Sequence, residues 1–390
     1  YKINLYVKKS MNILKYICLP GLLASGDIQT VSAVESKTDK NPNILVILID
    51  DAGYNDFGFM GSKEMQTPNI DALTSEGVVF TDAHVAATVS SPSRACLITG
   101  RYGHRFGYEC NLSDRTNGLP LEEETIAEVF KTNGYRTAAI GKWHLGSRDE
   151  QHPNNRGFDL FYGMKAGGRD YFYNEKKSDR PGDERNLLLN DRQVKFEKYL
   201  TDAFSEKAVE FINESSQPFM MYLAYNAVHT PMQATDEDMA KFEGHPRQKL
   251  AAMTYALDRG VGTVIRGLKD SGKFDNTLIF FLSDNGGATT NQSSNYPLKG
   301  FKGNKFEGGH RVPYFVVWKN GIPAGKPYDG LVSSLDIFAT AIDAASISKT
   351  RNRLDGVSLL PYLKGKKGEP HKVLYLSLIH ISEPTRRVVI

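Results

Sequence analysis

Two apolar runs constrain this chain more than anything else in it. They are Asn43-Ile44-Leu45-Val46-Ile47-Leu48-Ile49 and Thr277-Leu278-Ile279-Phe280-Phe281-Leu282. A strand with one wet face alternates apolar and polar residues. A strand covered on both faces reads as a continuous β-branched and Leu stretch. Both runs therefore predict central strands of a sheet with helices on either side. Each run stops at acids: Asp50-Asp51 after the first, Ser283-Asp284-Asn285 after the second. Adjacent carboxylates at the end of a buried strand are costly unless something positive pairs them. In open α/β sheets, ligands gather at the carboxyl ends of the strands.

The rest of the chain keeps alternating. Thr67-Pro68 starts a helix, with an N-cap and then Pro at the first helical position, and Gly77 ends it. A strand over 78–85 delivers the chain to Ser90. A helix over 122–131 precedes a strand over 136–140, which leads into Gly141-Lys142-Trp143-His144. A helix over 199–213 and a strand over 218–225 reach Asn226-Ala227-Val228-His229. A long helical pattern over 248–268 is weakened by Gly260, Gly262 and Gly267. A strand over 314–318 and a helix over 334–345 close the series. This order predicts an α/β three-layer sandwich: a large, mostly parallel or mixed sheet flanked by helices, in one main domain. Residues 147–198 are loop-rich, carry Gly167-Gly168 and read as a pocket rim.

Between the second predicted strand and the 122–131 helix lies Ser90-Ser91-Pro92-Ser93-Arg94-Ala95-Cys96-Leu97-Ile98-Thr99-Gly100-Arg101. A polar turn runs straight into a short helix. The spacing i, i+4 puts Ser90 and Arg94 on one face, at the end of the helix that favours anions. A nucleophile-like oxygen thus stands beside a permanently charged fork suited to a tetrahedral oxyanion. The bland alternative is a helix cap with a structural Arg.

At these residues the chain resembles the type I sulfatases. Their signature is Cys or Ser, any residue, Pro-Ser-Arg, then Thr-Gly-Arg after a few residues. Every fixed position is filled here, with Ser first. The resemblance implies an alkaline-phosphatase-like fold and makes Ser90 the residue converted to formylglycine, the catalytic group. It also implies a divalent metal held by Asp50, Asp51, Asp284, Asn285 and the modified Ser90. Oxygen donors suit Ca²⁺, with Mg²⁺ the second choice, rather than zinc. The family's Lys-x-His, its later His, and the Lys-Gly ahead of Glu-Gly-Gly-x-Arg-Val-Pro match Lys142, His144, His229 and Lys302. In an extended segment Lys142 and His144, two residues apart, share a face. The implied roles are catalytic for Ser90, Arg94, Lys142, His144, His229 and Lys302, with Lys142, His229 and Lys302 on the sulfate. Taken singly, turn acids, solvated lysines and structural histidines would explain each of these residues.

The expected activity is hydrolysis of the sulfate ester of a sulfated carbohydrate. Tyr54, Tyr108 and the Tyr171-Phe172-Tyr173 cluster are candidates to stack on sugar rings. The alternatives are a phosphatase or phosphonate monoester hydrolase of the same superfamily using unmodified Ser90, and a non-catalytic binder of sulfated glycans. A Ser-type site implies a radical-SAM maturase acting before export.

Charge and the termini complete the reading. A net charge of +3 without a dense basic run gives no footprint for nucleic acid or a membrane surface. Three cysteines, Cys18, Cys96 and Cys110, make no disulfide framework. Met11, Lys15, the apolar stretch from Tyr16 to Ala24 and Val31-Ser32-Ala33 form a signal-peptide pattern, too short to span a membrane. Residues 1–41 are thus expected to be upstream residues, signal peptide and linker. Residues 42–375 form the catalytic domain, and the location is periplasmic or secreted. Residues 376–390 read as a non-native tail resembling a translated sequencing adapter, with the smaller C-terminal subdomain largely missing.

Overall fold

The structure of the protein, a computed structural model, describes residues 41–111, 118–380 and 383–389. The signal-peptide segment lies outside the described residues. The two runs are β1 (Asn43–Ile49) and, far along the chain, β9 (Thr277–Ser283), and every residue of both is buried. Between them come β2 (Gly77–Phe80), β3 (Ala83–His84), β4 (Arg136–Lys142), β5 (Leu160–Met164), β6 (Leu188–Leu189), β7 (Arg192–Gln193) and β8 (Phe219–Ala224). After β9 come β10 (Tyr314–Val317), β11 (Val332–Ser333), β12 (Tyr375–His380) and β13 (Glu383–Val389).

Nine of these strands form one sheet in the order β2-β10-β9-β1-β8-β4-β5-β6-β7. The five central strands, from β9 to β5, run parallel, and the flanking pairs are antiparallel. Parallel strands point their carboxyl ends to one edge. The register then sets who meets there: Leu48 pairs with Leu282 on one side and Ala224 on the other. Asp284, Asp50 and the segment after Ala224 are thus neighbours by construction.

Alternate residues of β1 enter opposite cores. Leu45, Ile47 and Ile49 pack with helices α1 (Pro68–Thr74), α4 (Leu200–Glu214), α5 (Asp236–Ala240) and α6 (Gln248–Asp270). Ile44, Val46 and Leu48 pack with α2 (Ser90–Thr99), α3 (Ile126–Thr132) and α7 (Asp336–Ala344). Each such side chain, fully buried, contributes about 1.5–3 kcal/mol. The result is the expected three-layer α/β sandwich.

Three local expectations are corrected. The strand over 78–85 is two strands, β2 and β3, broken at Thr81-Asp82; β3 leaves the main sheet to pair with β11. The 122–131 helix begins only at Ile126, where Thr125 and Glu128 close a capping box. The α6 pattern is not interrupted by its glycines. A side chain at Gly260 would come within 2.5 Å of Ser205 Oγ, and one at Gly262 within 2.5 Å of Asn69. Those glycines let α6 seat closely on α4 and on the residue ahead of Ile70, and packing overrides their low helix propensity. Beyond α7, β12 and β13 pair, among the described residues, with each other alone.

Candidate active site

Four strand ends and one helix start supply the site. Ser90 is the first residue of α2, and all ten residues of that helix are buried. Its Oγ lies 3.2 Å from Asp50 Oδ1 and 3.1 Å from Asn285 Oδ1. Two acceptors thus converge on a hydroxyl that has one proton to give. Arg94, one turn on, donates from Nε (3.0 Å) and Nη2 (2.8 Å) to Asp284 Oδ2, and Nη2 is also 3.6 Å from Asp50. Its Nη1 donates to the backbone carbonyl of Lys142 at 3.3 Å. Burial pulls the guanidinium down, but Asp284, Tyr222 and Asp50 outweigh it and fix the charge.

Lys142 closes β4. Gly141 before it has φ 106°, and a Cβ there would fall 1.9 Å from the Ala224 carbonyl oxygen. Only glycine lets β4 lie against β8 in this conformation. The Lys142 ammonium donates to Asp50 Oδ2 at 2.7 Å with both side chains fully buried. Burial pushes the Asp50 carboxyl up, and Lys142, His229 and Arg94 together hold it below the ordinary carboxylate value. Burial also lowers Lys142, against the attraction of Asp50.

Asp51 has φ 62°, unusual for a residue with a side chain. Its carbonyl accepts from Asn291 Nδ2 (3.1 Å) and Ser293 Oγ (2.9 Å), and its carboxylate accepts from Asn285 Nδ2 (2.8 Å). That surrounding support holds a backbone that would cost about 1–3 kcal/mol alone. Lys302 Nζ reaches Asp51 Oδ1 at 2.7 Å, and its ammonium is held above the usual lysine value: burial opposes this, but Asp51, Asp50 and Asp284 prevail. His229 Nε2 stands 3.6 Å from Asp51 Oδ2, and Nδ1 donates to the Thr230 carbonyl at 2.7 Å.

His144 departs from the expected geometry. It has φ 57°, so the chain is no longer extended there, and the shared face with Lys142 does not exist. Its ring instead packs on the bare backbone of Gly167, while Gly168 abuts the His229 ring. Burial first, then the Lys142 and Arg94 charges, keeps His144 well below the ordinary histidine value, so it is neutral. Its Nδ1 is buried without a hydrogen-bond partner.

The ten residues singled out from the sequence therefore lie in or against one cluster of side chains. Two of the candidate tyrosines, Tyr108 and Tyr171, are core residues and not available to a sugar ring. Tyr171 is fully buried with its Oη 2.7 and 2.8 Å from the carbonyl oxygens of Asn226 and His229, which share its one proton, and Tyr108 is buried with its Oη 2.7 Å from Ser91 Oγ. Tyr54 donates to the Thr81 carbonyl under Arg311. Of the expected aromatic cluster Phe172 is exposed, and Tyr296 and Phe301, which were not singled out, are exposed as well. Sequence reasoning missed Asn291, Ser293 and Tyr222; the polar run from Thr289 to Ser294 after Asp284-Asn285 was the available signal for the first two. Cys96 and Cys110 are free thiols.

The donor set can be tested for a metal. Asp50, Asp51, Asp284 and Asn285 offer hard oxygens from two adjacent strand ends, as a Ca²⁺ or Mg²⁺ site requires. Asp50, Asp51 and His229 also bring ligand atoms within 4.8 Å of one another. Three carboxylates here face the three cations Arg94, Lys142 and Lys302, so the cluster as it stands is close to neutral. The residues fit a divalent cation.

Comparison with known proteins bears on this arrangement. The sequence profile of the family described as Sulfatase matches residues 42–347. The uncharacterized sulfatase YdeN of Escherichia coli (strain K12) is 36% identical over 87% of this chain and 69% of its own length. Mouse (Mus musculus) arylsulfatase G is 36% identical over 86% of this chain and 71% of its own. Among solved structures, Ps i-CgsB in complex with k-i-k-neocarrahexaose superposes with a TM-score of 0.84 at 42% identity, covering 90% of this chain and 82% of that one. With those likenesses running through both apolar strands and the Ser90 helix, the chain belongs to the sulfatase family, as an enzyme that hydrolyses sulfate esters.

Proposed function

We propose that this sulfatase removes sulfate from a sulfated carbohydrate, using Ser90 in its formylglycine form and a divalent cation, Ca²⁺ before Mg²⁺. The observation that carries the reading is the pair of acceptors on Ser90. Asp50 and Asn285 both face one oxygen that can satisfy only one of them. A carbon bearing two hydroxyls at residue 90, or a cation between the oxygens, satisfies both. The hydrated aldehyde would supply the oxygen that attacks sulfur and, afterwards, a way to expel sulfate without water displacing it. A cation held by Asp50, Asp51, Asp284 and Asn285 would supply the Lewis-acid charge and turn a near-neutral cluster positive.

The chain's own residues do the rest. Arg94 is locked by two hydrogen bonds to Asp284 and keeps its charge beside residue 90, where the attacking hydroxyl loses its proton. Lys142 and Lys302 stand on either side, 2.7 Å from Asp50 and from Asp51, and offset the charge that builds on sulfate oxygens in the transition state. His229, part-exposed, is placed to protonate the leaving alkoxide, because a sugar alcohol leaves poorly as an anion; Lys302 is the other donor in reach. His144, neutral and with Nδ1 unengaged, can take the proton of the second hydroxyl as the aldehyde reforms.

The carbohydrate held by Ps i-CgsB supports a sugar ester as substrate. We further propose conversion of Ser90 by a radical-SAM maturase before export, and a periplasmic or secreted location. Among the described residues no helix is long and apolar enough to cross a membrane. The test is peptide mass spectrometry of the active protein, joined to a desulfation screen over defined sulfated saccharides with and without Ca²⁺. An unmodified Ser90 in fully active enzyme sinks the mechanism. Faster turnover of a phosphate ester than of the matching sulfate ester would favour the phosphatase alternative, and binding without turnover the glycan binder.

A further inference from the structure

The chemistry above leaves the Gly167-Gly168 pair unused. The pair follows β5, on a segment that links the two histidines of the site. At the start of that segment the Lys165 carbonyl accepts from the His144 backbone N–H at 3.0 Å. At its end Tyr171 Oη lies 2.8 Å from the His229 carbonyl oxygen. Between these attachments each ring meets one glycine. A Cβ at Gly167 would fall 2.6 Å from His144 Nε2, 2.8 Å from Cε1 and 3.1 Å from Cδ2. A Cβ at Gly168 would fall 3.3 Å from both Cε1 and Nδ1 of His229.

Glycine is ordinarily required by a left-handed φ or by a close approach of backbone to backbone. Neither reason applies here. Neither glycine has a left-handed φ. The atoms a side chain would crowd are ring atoms; the one backbone atom near Gly168, the Thr230 carbonyl oxygen, would be at an ordinary 3.6 Å. The bare backbone therefore serves the rings. It also leaves free the nitrogens that the chemistry uses, Nδ1 of His144 and Nε2 of His229.

The segment is held firmly enough to act as a seat. Arg169 is buried, with Nη2 2.8 Å from both carboxylate oxygens of Asp179 and its guanidinium 4.7 Å from the centre of the Phe196 ring. The Tyr171 N–H donates to Gln233 Oε1 at 2.8 Å. Both histidines are half-buried, so a crowded ring can turn outward without opening the core.

We propose that Gly167 and Gly168 are positioning residues, a bare seat that sets where the His144 and His229 rings stand, one glycine to each ring. The inference rests on the proton-transfer roles given above to those histidines and acts through them; neither glycine touches the reacting atoms. Because His229 acts as the alcohol leaves and His144 only afterwards, the two neighbours should fail differently. With phenyl sulfate as the probe, Gly167→Ala should lower kcat about tenfold and hold kcat/KM within about twofold, since kcat/KM reports no step after the first irreversible one. Gly168→Ala should lower kcat/KM about fivefold on phenyl sulfate but less than about twofold on 4-nitrophenyl sulfate, whose phenolate leaves without a proton. One signature shared by both variants is what a general loosening of the segment gives, and it overturns the inference; so do unchanged rates. If His144→Ala and His229→Ala themselves lack these signatures, the roles of the histidines fail and the inference falls with them. Crystal structures of the two variants give a readout without turnover, and they decide if phenyl sulfate is not hydrolysed. Each variant should show its own ring displaced and the other in place; both rings in their parent positions overturn the seat. Should a glycine variant not fold, the same substitution joined to the matching His→Ala change has no ring to crowd and should fold. If that too fails, the backbone itself needs the glycine and the inference is overturned.

Discussion

The pocket has two halves that use the same charges differently. In the closed half, Arg94, Asp284, Asp50 and Lys142 all have side chains at 0% exposure. In the open half, Lys302 and His229 keep 20% and 23% of their side chains accessible around a nearly buried Asp51. A buried ion pair gains little net stability, because desolvation offsets the attraction, but removing one partner strands the other. A part-exposed lysine has no such penalty and stays available to a ligand. The difference teaches a division of labour: the closed half fixes the geometry, and the open half meets the substrate.

The comparison can be broken in four places. The largest effect belongs to the residue between the halves. Ser90→Ala should lower turnover by ~10³-fold or more while moving stability by less than about 1 kcal/mol; near-normal rates in a steady-state assay would remove it from the chemistry. In the closed half, Arg94→Met strands Asp284 and should cost about 3–5 kcal/mol in urea unfolding, along with activity. An Arg94→Met protein as stable as the parent would mean that the closed half is not a structural clamp. In the open half, Lys302→Ala should lower kcat/KM by about 10²-fold and cost less unfolding stability than Arg94→Met, because Asp51 keeps the hydrogen bond from Asn285. Removing divalent cations with a chelator should abolish turnover, and restoring Ca²⁺ at about 100 times its Kd should raise stability by about 2.7 kcal/mol.

A smaller effect concerns His144. Its folded value lies below that of the unfolded chain, so below the ordinary histidine value the unfolded state binds the extra proton. Stability should therefore fall as pH drops from neutral, by at most about 1.4 kcal/mol per unit from this group. His144→Gln should flatten that slope in unfolding curves taken between pH 7 and pH 5. An unchanged slope would mean that the ring is not held neutral.

Much of this was legible because the informative residues directly follow regular elements. Asp50-Asp51 and Asp284-Asn285 terminate apolar runs, and parallel strands must deliver their ends to one edge. Arg94 was readable from helical spacing. The readings that failed needed contacts between distant segments. Nothing in the local pattern shows that Gly167 supports His144, or that Tyr171 faces inward to hold two carbonyls. The glycines of α6 signal weakness in isolation and close packing only when α4 is in place. His84 and His310 lie 226 residues apart, so no local pattern announces their contact.

One consequence concerns timing. Ser90 is 1% exposed, on a helix with no exposed residue. A small sulfate group can come to that hydroxyl past the part-exposed Lys302 and His229, but the active site of a second protein cannot close around a side chain this buried. The conversion proposed here must therefore happen while the polypeptide is still open, which makes it a one-time event in the life of each molecule. Protein that folds unconverted is committed to that state, and supplying the maturase later should rescue it only after unfolding.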